Sequence, residues 1–255
     1  MALAQTADRL TSQRGAAKAV AGVLLDIDDT LVDTRGAFRY ALGVVAEDFL
    51  PSGCDVDLMT SYWRADASGW YRAHTRGEIS HREQRMRRAN ELHAEFGGLA
   101  LDEAAYDEWN TVFEAMFKEG WRAHPDAEAL LDTLDGCGIE YGAVSNADSS
   151  YQEVKLARVG LTRMAMLVGV DRYGVGKPDP RVFREGARLL GLEPATVAYV
   201  GDEKDIDATA AVDAGLALGI WIDRPGGHPQ PGPLADGVVR VESLAEVPEV
   251  LHLTC

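Results

Sequence analysis

The stretch VLLDIDDTLVD, residues 23 to 33, decides how the rest of this chain is interpreted. A nearly continuous apolar run, residues 21 to 27, is typical of a strand buried on both faces of a parallel sheet. That run meets three carboxylates, Asp26, Asp28 and Asp29. Crowded carboxylates repel one another and raise each other's pKa. The sequence therefore predicts a compensating cation where this strand ends.

The next ninety or so residues have a different pattern. From Thr34 to about His124 the apolar residues recur at helical spacing, and no convincing strand interrupts them. One such series is Phe38, Ala41, Leu42, Val45 and Phe49. We therefore predict that residues 34–124 form a small helical bundle inserted directly after the first strand.

After Pro125, short apolar strands alternate with amphipathic helices, which is the pattern of βα units. The predicted fold class is α/β: a Rossmann-like parallel sheet with helices on both faces, plus an inserted all-helical cap domain. The predicted division is a flexible N-terminal tail over residues 1–20, an α/β core over 21–33 and 125–255, and the cap over 34–124.

The composition excludes several classes of partner. With 25 basic and 41 acidic residues the formal charge is −16, which disfavours nucleic acid and anionic lipid as partners. No apolar run is long enough to span a membrane. The cysteines Cys54, Cys137 and Cys255 show neither metal-ligand spacing nor an evident disulfide framework, which favours the cytoplasm. The sequence does not indicate an oligomeric state.

Chemistry-bearing residues collect at the predicted strand ends, where ligands bind in open α/β sheets. Asp26 and Asp28 are two apart, so an extended chain presents both on one side. Paired carboxylates suit a hard cation such as Mg²⁺, and Asp202, at a later strand end, would supply a third ligand. The alternative is an acidic strand-to-helix turn without a metal.

Three further segments contribute to the same edge. Ser145 and Asn146 offer a hydroxyl and an amide to a phosphoryl oxygen, although Ser-Asn is also common in turns. Lys177 would offset the carboxylates and an incoming anion, or else be an ordinary surface lysine. The segment GDEKDID supplies Asp202 and Asp207 to this edge. The alternative is that it is only the acidic start of a helix.

The conjunction of these segments is more specific than any one of them. In its motifs and their order the chain resembles the haloacid dehalogenase-like (HAD) hydrolase superfamily, subfamily I, whose helical cap follows the first motif. The motifs that carry the resemblance are DIDDT, AVSN, GKPDP and VGDEKDID, and it covers roughly residues 21 to 252. Asp29, Ala147 and Ile206 depart from the residues that are frequent in these motifs.

The resemblance implies a role for each motif residue. Asp26 would be the nucleophile and Asp28 the general acid/base, with Ser145 and Lys177 completing the catalytic set. Substrate contacts are implied for Thr30, Ser145, Asn146 and Lys177, and contacts with Mg²⁺ for Asp26, Asp28, Asp202 and Asp207. Asp207 would act near the metal through water or Lys177.

The predicted function is a Mg²⁺-dependent phosphatase that hydrolyses a small phosphorylated metabolite through an aspartyl-phosphate. Three alternatives remain open: a haloacid dehalogenase, a phosphomutase on the same fold, and a non-enzymatic phosphate-binding protein. The cap would act as a lid over the substrate. Arg64, Arg72, Arg76 and His81 of the cap could reach a substrate, but an ordinary solvated side chain is the favoured interpretation of each.

Overall fold

The computed structural model describes residues 20–227 and 229–253. Within them lies a sheet of six parallel strands in the order β3-β2-β1-β4-β5-β6. The strands are β1 (Gly22–Leu25), β2 (Glu140–Val144), β3 (Leu167–Val168), β4 (Val197–Gly201), β5 (Leu218–Ile222) and β6 (Val238–Val241). The predicted parallel α/β sheet is thereby confirmed.

The first strand is central and has no exposed face. Val23 and Leu25 pack into the core on one side of the sheet, whereas Leu24 packs into the core on the other side. This alternation explains the continuous apolar run in the sequence, because a strand covered by helices on both faces needs apolar residues at every position.

Helices cover both faces of the sheet. The core helices are α6 (Ala127–Gly136), α7 (Ser149–Arg158), α8 (Pro180–Leu189), α9 (Ala210–Asp213) and α10 (Val247–Val250). Leu131 of α6 and Val247 of α10 lie in the same core as Val23, whereas Phe183 of α8 and Ala211 of α9 lie in the core of Leu24.

Five helices lie between β1 and α6 in the chain. They are α1 (Thr34–Phe49), α2 (Val56–Ala65), α3 (Trp70–Thr75), α4 (His81–Glu95) and α5 (Glu103–Glu119). Their apolar faces form a core of their own, which is rich in aromatic residues and includes Trp63, Trp109 and Phe113. We propose that this helical segment is a separate cap domain with bounds near those predicted.

Two elements differ from their predictions. The strand predicted at MAMLVGV is only two residues long, because β3 is an edge strand paired with β2 alone and the chain turns into a 3₁₀ helix at Val170–Arg172. The helix predicted through Ile206 and Ala210 begins as a π-helix, Lys204–Thr209, before it continues as α9.

The remaining predictions concern the chain ends and the cysteines. The N-terminal tail falls outside the described residues except for Val20, and so does Cys255. The expectation of no disulfide is wrong for Cys137, which is disulfide-bonded, whereas Cys54 is a free thiol. The cysteines therefore give no support to a reducing compartment. None of the helices described here has the length and apolarity needed to cross a membrane.

Candidate active site

The parallel register brings the ends of three strands to one edge of the sheet. Leu25 of β1 pairs with Ala143 of β2 and with Val200 of β4. The residues that follow these strands therefore emerge side by side, among them Asp26 and Ser145. Asp26 continues the ladder, since its backbone N–H donates to the Val200 carbonyl at 2.9 Å.

Asp26 lies in a buried charge cluster built around Lys177. The Lys177 ammonium donates to Asp26 Oδ1 at 2.5 Å and to the Tyr199 hydroxyl at 2.9 Å. It also forms an ion pair with Asp207 Oδ1 at 2.7 Å. Burial alone would lower the pKa of Lys177, but Asp207 and Asp26 outweigh it and raise that pKa well above its ordinary value. The amine is therefore a fixed cation.

Three carboxylates face one another beside this lysine. Oxygens of Asp26, Asp202 and Asp207 all lie within 4.8 Å of one another. Burial, together with the charges of Asp207 and Asp28, raises the pKa of Asp26 to about 7 despite its bond to Lys177. Burial and the neighbouring Asp29 and Asp26 raise the pKa of Asp202 well above its usual range. One ammonium does not neutralise this cluster, and a divalent cation fits the excess negative charge.

The π-helical turn after β4 brings Asp207 into the cluster. Asp207 Oδ2 accepts from the backbone N–H of Glu203 at 3.0 Å, which folds the side chain back toward the strand end. It lies so close to Gly201 that a Cβ there would be 2.4 Å from Asp207 Oδ2. The glycine before Asp202 is thus required for this approach, and π-turns of this kind are frequent at functional sites.

Asp28 has a separate set of partners. Its Oδ1 accepts from the Thr34 hydroxyl at 2.5 Å and from the Lys155 ammonium, and its Oδ2 accepts from Gln152 Nε2 at 2.6 Å. Burial would raise the pKa of Asp28, but Lys155 and the three hydrogen bonds together lower it. Asp28 is therefore held as a carboxylate, in contrast to Asp26 two residues earlier.

Ser145 is oriented to donate. Its oxygen accepts from Gln152 Nε2 at 2.8 Å and from the backbone N–H of Ala147 at 3.2 Å. Because both bonds use lone pairs, the hydroxyl proton remains available to an anion in the cavity. This arrangement suits the phosphoryl contact predicted for Ser145.

Asn146 and Thr30 bind two of the residues in this charge cluster, Lys177 and Asp26. Both amide atoms of Asn146 bind the backbone of Lys177, with Nδ2 donating to its carbonyl at 3.0 Å and Oδ1 accepting from its N–H at 2.5 Å. A Cβ at Gly176 would be 2.2 Å from this amide oxygen, so glycine is needed there. Thr30 is fully buried, and its hydroxyl donates to Asp26 Oδ2 at 3.4 Å. Asn146 also lines the cavity, and the substrate contacts predicted for Asn146 and Thr30 remain predictions.

A cavity of about 300 Å³ opens over these groups, and the helical segment lines its other side. Its lining includes Asp26, Asp28, Ser145, Lys177 and Asp202 from the core, and Arg64, Arg72 and His81 from the cap. Arg76 is not part of the lining and pairs with Glu78 in a solvent-exposed ion pair. Burial and the nearby Arg85 lower the pKa of His81 to about 4, so its imidazole is neutral at physiological pH.

Several site residues were not identified from the sequence. Lys155 and Tyr71 line the cavity, Gln152 links Asp28 to Ser145, and Tyr199 binds Lys177. The one available signal was helical spacing, because Gln152 and Lys155 are three residues apart on the helix that follows Ser145. Their common partner, Asp28, is more than a hundred residues away in the chain.

Comparison with known proteins identifies the family. The family model for haloacid dehalogenase-like hydrolases matches residues 20–215, and the chain belongs to this family. The phosphoserine phosphatase of Thermus thermophilus is 36% identical over 153 residues, 58% of this chain and 60% of that enzyme. The glyceraldehyde 3-phosphate phosphatase of Methanopyrus kandleri is 28% identical over 198 residues, 77% of this chain and 82% of that enzyme.

Solved structures share the whole fold. The putative HAD-hydrolase YfnB of Bacillus subtilis, bound to magnesium, superposes with a TM-score of 0.74 at 22% identity, over 92% of this chain and 100% of that one. The L-2-haloacid dehalogenase PA0810 superposes with a TM-score of 0.70 at 26% identity, over 92% and 100% of the two chains. Fold similarity therefore does not separate phosphatases from dehalogenases.

Proposed function

We propose that this protein is a Mg²⁺-dependent phosphatase that hydrolyses a small phosphorylated metabolite through an aspartyl-phosphate on Asp26. The observation that carries the proposal is the cluster of Asp26, Asp202 and Asp207 oxygens beside Lys177, which faces a cavity that Asp28 also lines. The named relatives, which include a phosphoserine and a glyceraldehyde 3-phosphate phosphatase, support the reaction class.

Asp26 and Asp202 are the proposed ligands of the metal, with Asp207 and Asp28 next to it. The carboxylate cluster fits a hard divalent cation, because oxygen donors are crowded there without enough positive charge to balance them. When bound, Mg²⁺ would offset the repulsion between a carboxylate and a phosphate dianion and stabilise charge on the phosphoryl oxygens.

The chain's own residues divide the reaction into two steps. In the first, Asp28 takes up the proton of the monoanionic ester, Asp26 attacks phosphorus, and the ester oxygen leaves with that proton. In the second, Asp28 takes a proton from water, the resulting hydroxide attacks phosphorus, and inorganic phosphate leaves Asp26 free again. Lys177 and the Ser145 hydroxyl hold the phosphoryl oxygens throughout.

A haloacid dehalogenase is the alternative that the shared fold keeps open. The family resemblance implies that dehalogenases lack the second aspartate and need no metal. Here Asp28 is held ionised at the cavity, and a third carboxylate, Asp202, lies close to Asp26. Both features are better explained by phosphoryl transfer.

The test is a panel of phosphate monoesters assayed with Mg²⁺ and with EDTA. The panel includes phosphoserine, phosphoglycolate, glyceraldehyde 3-phosphate, hexose phosphates and p-nitrophenyl phosphate, and a 2-haloacid serves as a control. We expect phosphate release that requires Mg²⁺. Halide release insensitive to EDTA would establish the dehalogenase instead, isomerised hexose phosphate would indicate a mutase, and no turnover of any compound would favour a binding protein. A cytoplasmic location remains a prediction.

A further inference from the structure

Lys155 is a buried cation that the proposed mechanism does not use. Its side chain is 2% exposed, and Asp28 is the one carboxylate with which it pairs among the residues that the structure describes. Its ammonium also lies 5.5 to 5.7 Å from the ring centres of Phe117, Trp121 and Tyr151. The charge is therefore held between the cap helix α5 and the core, and it points at Asp28.

Gln152 lies one helical turn before Lys155 and binds two candidate catalytic groups at once. Its Nε2 donates to Asp28 Oδ2 at 2.6 Å and to Ser145 Oγ at 2.8 Å. The opposite amide orientation would place its oxygen against the Asp28 carboxylate, so the nitrogen must face these partners. Its Oε1 is buried and finds no hydrogen-bond donor within the described part of the chain.

The bonds of Lys155 and Gln152 contribute little to the stability of the fold, but they orient the Asp28 carboxylate. A buried ion pair and a half-satisfied buried amide contribute little to the free energy of folding, because both lose hydration. Together with Thr34, however, they bind both oxygens of Asp28 and leave its carboxylate one orientation, toward the cavity. Sites that break the rules of hydrogen-bond satisfaction are expected at functional residues.

The geometry points to Lys155 and Gln152 as positioning residues that hold the Asp28 carboxylate for the proton transfer from water. Thr34 and Lys155 fix Oδ1, and Gln152 fixes Oδ2 relative to the hydroxyl of Ser145. The attacking water is thereby aligned with the phosphoryl group that Ser145 contacts. This inference rests on the proposed phosphatase function.

The experiment is burst kinetics with p-nitrophenyl phosphate and Mg²⁺. The nitrophenolate leaving group needs little help from an acid, so phosphorylation of Asp26 is insensitive to Asp28, whereas hydrolysis of the aspartyl-phosphate requires it. For Lys155→Met and Gln152→Leu we expect a burst near one nitrophenolate per protein, followed by turnover reduced about 10- to 100-fold. Lys155→Arg should recover part of the loss.

Lys118→Met is the matched control. Its ammonium lies 5.4 Å from the same Tyr151 ring but is 44% exposed and pairs with Glu114. Turnover of this variant should equal that of the wild type. The burst amplitude counts correctly folded sites, so it separates a positioning defect from a folding defect.

Three results would overturn the inference while leaving the phosphatase proposal intact. The first is a Lys155→Met variant that turns over at the wild-type rate. The second is a burst amplitude that falls in the same proportion as the steady-state rate. The third is a burst of full amplitude that saturates only at a higher substrate concentration. The last would make Lys155 a substrate ligand. A wild-type protein that turns over no phosphate ester would overturn the proposed function itself, and this inference with it.

Discussion

At the scale of single residues, environment gives neighbouring aspartates different chemistry. Asp26 is crowded by acids and has a raised pKa, whereas Asp28 is held by Lys155 and has a lowered one. Asp29 has a left-handed backbone with φ 58°, which explains why glycine is frequent at this motif position. Here its carboxylate instead accepts from the Arg35 N–H at 2.7 Å and from Arg64 of the cap.

Replacing Asp26, the proposed nucleophile, is the test at the scale of single residues. Asp26→Asn should lower phosphatase turnover at least about 10³-fold, because the amide cannot attack phosphorus. The fold should survive, since Lys177 keeps its ion pair with Asp207 and one crowded charge is removed. Turnover with p-nitrophenyl phosphate and far-UV circular dichroism measure the two effects. Near-wild-type turnover would remove Asp26 from the mechanism.

At the scale of elements, one ion pair joins the start of α6 to the loops that follow β5 and β6. Both oxygens of Asp126 accept from Arg224, at 2.8 and 2.9 Å, and Oδ2 also accepts from the Ser243 hydroxyl and the Leu244 N–H. Arg224 in turn donates to the Thr30 carbonyl at 2.9 Å. This network supports the turn that carries Asp26 and Asp28.

Asp126→Asn tests this network. We expect the free energy of unfolding to fall by about 1–3 kcal/mol, because a partly buried guanidinium loses its charged partner. Burial opposes ionisation, but Arg224 and Ser243 prevail and lower the pKa of Asp126 to about 2. The stabilisation is therefore present above about pH 4 and is lost as the pH falls toward 2. Urea denaturation of both proteins at pH 7 and pH 3 measures the difference, which should shrink at the lower pH; a constant difference would argue against an ionic origin.

At the scale of the whole molecule, the sheet and the cap each have apolar cores, and both line one cavity. The cap has its own apolar core. It contacts the loops that carry Asn146 and Lys177 through polar groups. The Tyr71 hydroxyl donates to the Asn146 carbonyl at 3.3 Å, and the Gly176 N–H donates to the Thr75 carbonyl at 2.7 Å. Asp26, Asp202 and Asp207 leave an excess of negative charge at the edge of the sheet that faces the cavity, so we expect a bound cation to stabilise the fold.

Metal addition should stabilise the protein in a pH-dependent way. In the unfolded chain Asp26 loses its proton near pH 3.8, whereas in the metal-free fold it keeps it up to about pH 7. The Asp26 carboxyl therefore lowers the free energy of unfolding by an amount that grows as the pH rises between those values, and this effect is absent at lower pH.

Mg²⁺ at 100 times its Kd adds about 2.7 kcal/mol to the free energy of unfolding. The melting-temperature gain on adding a fixed Mg²⁺ concentration should be larger at pH 8 than at pH 5 and nearly absent in Asp26→Asn. An equal gain in that variant would place the metal elsewhere.

The proximity of several candidate site residues is predictable from the amino-acid sequence alone. Asp26 and Ser145 directly follow parallel strands, and the ends of such strands meet at one edge, so local pattern and topology together predict their proximity. The same reasoning places Asp202 there. Helical periodicity likewise predicts the inserted bundle, since an apolar stripe at a 3.6-residue period leaves little choice of structure.

The arrangement of Asp28, by contrast, is decided by tertiary structure alone. Lys155 lies 127 positions from Asp28, and no local pattern relates two such residues. The same holds for Asn146, whose amide binds the backbone of Lys177, 31 positions away in the chain. A strand end and a helical periodicity are properties of one segment and can be recognised in its sequence. The partner of a buried polar side chain depends instead on which distant segment the packing brings within about 3 Å.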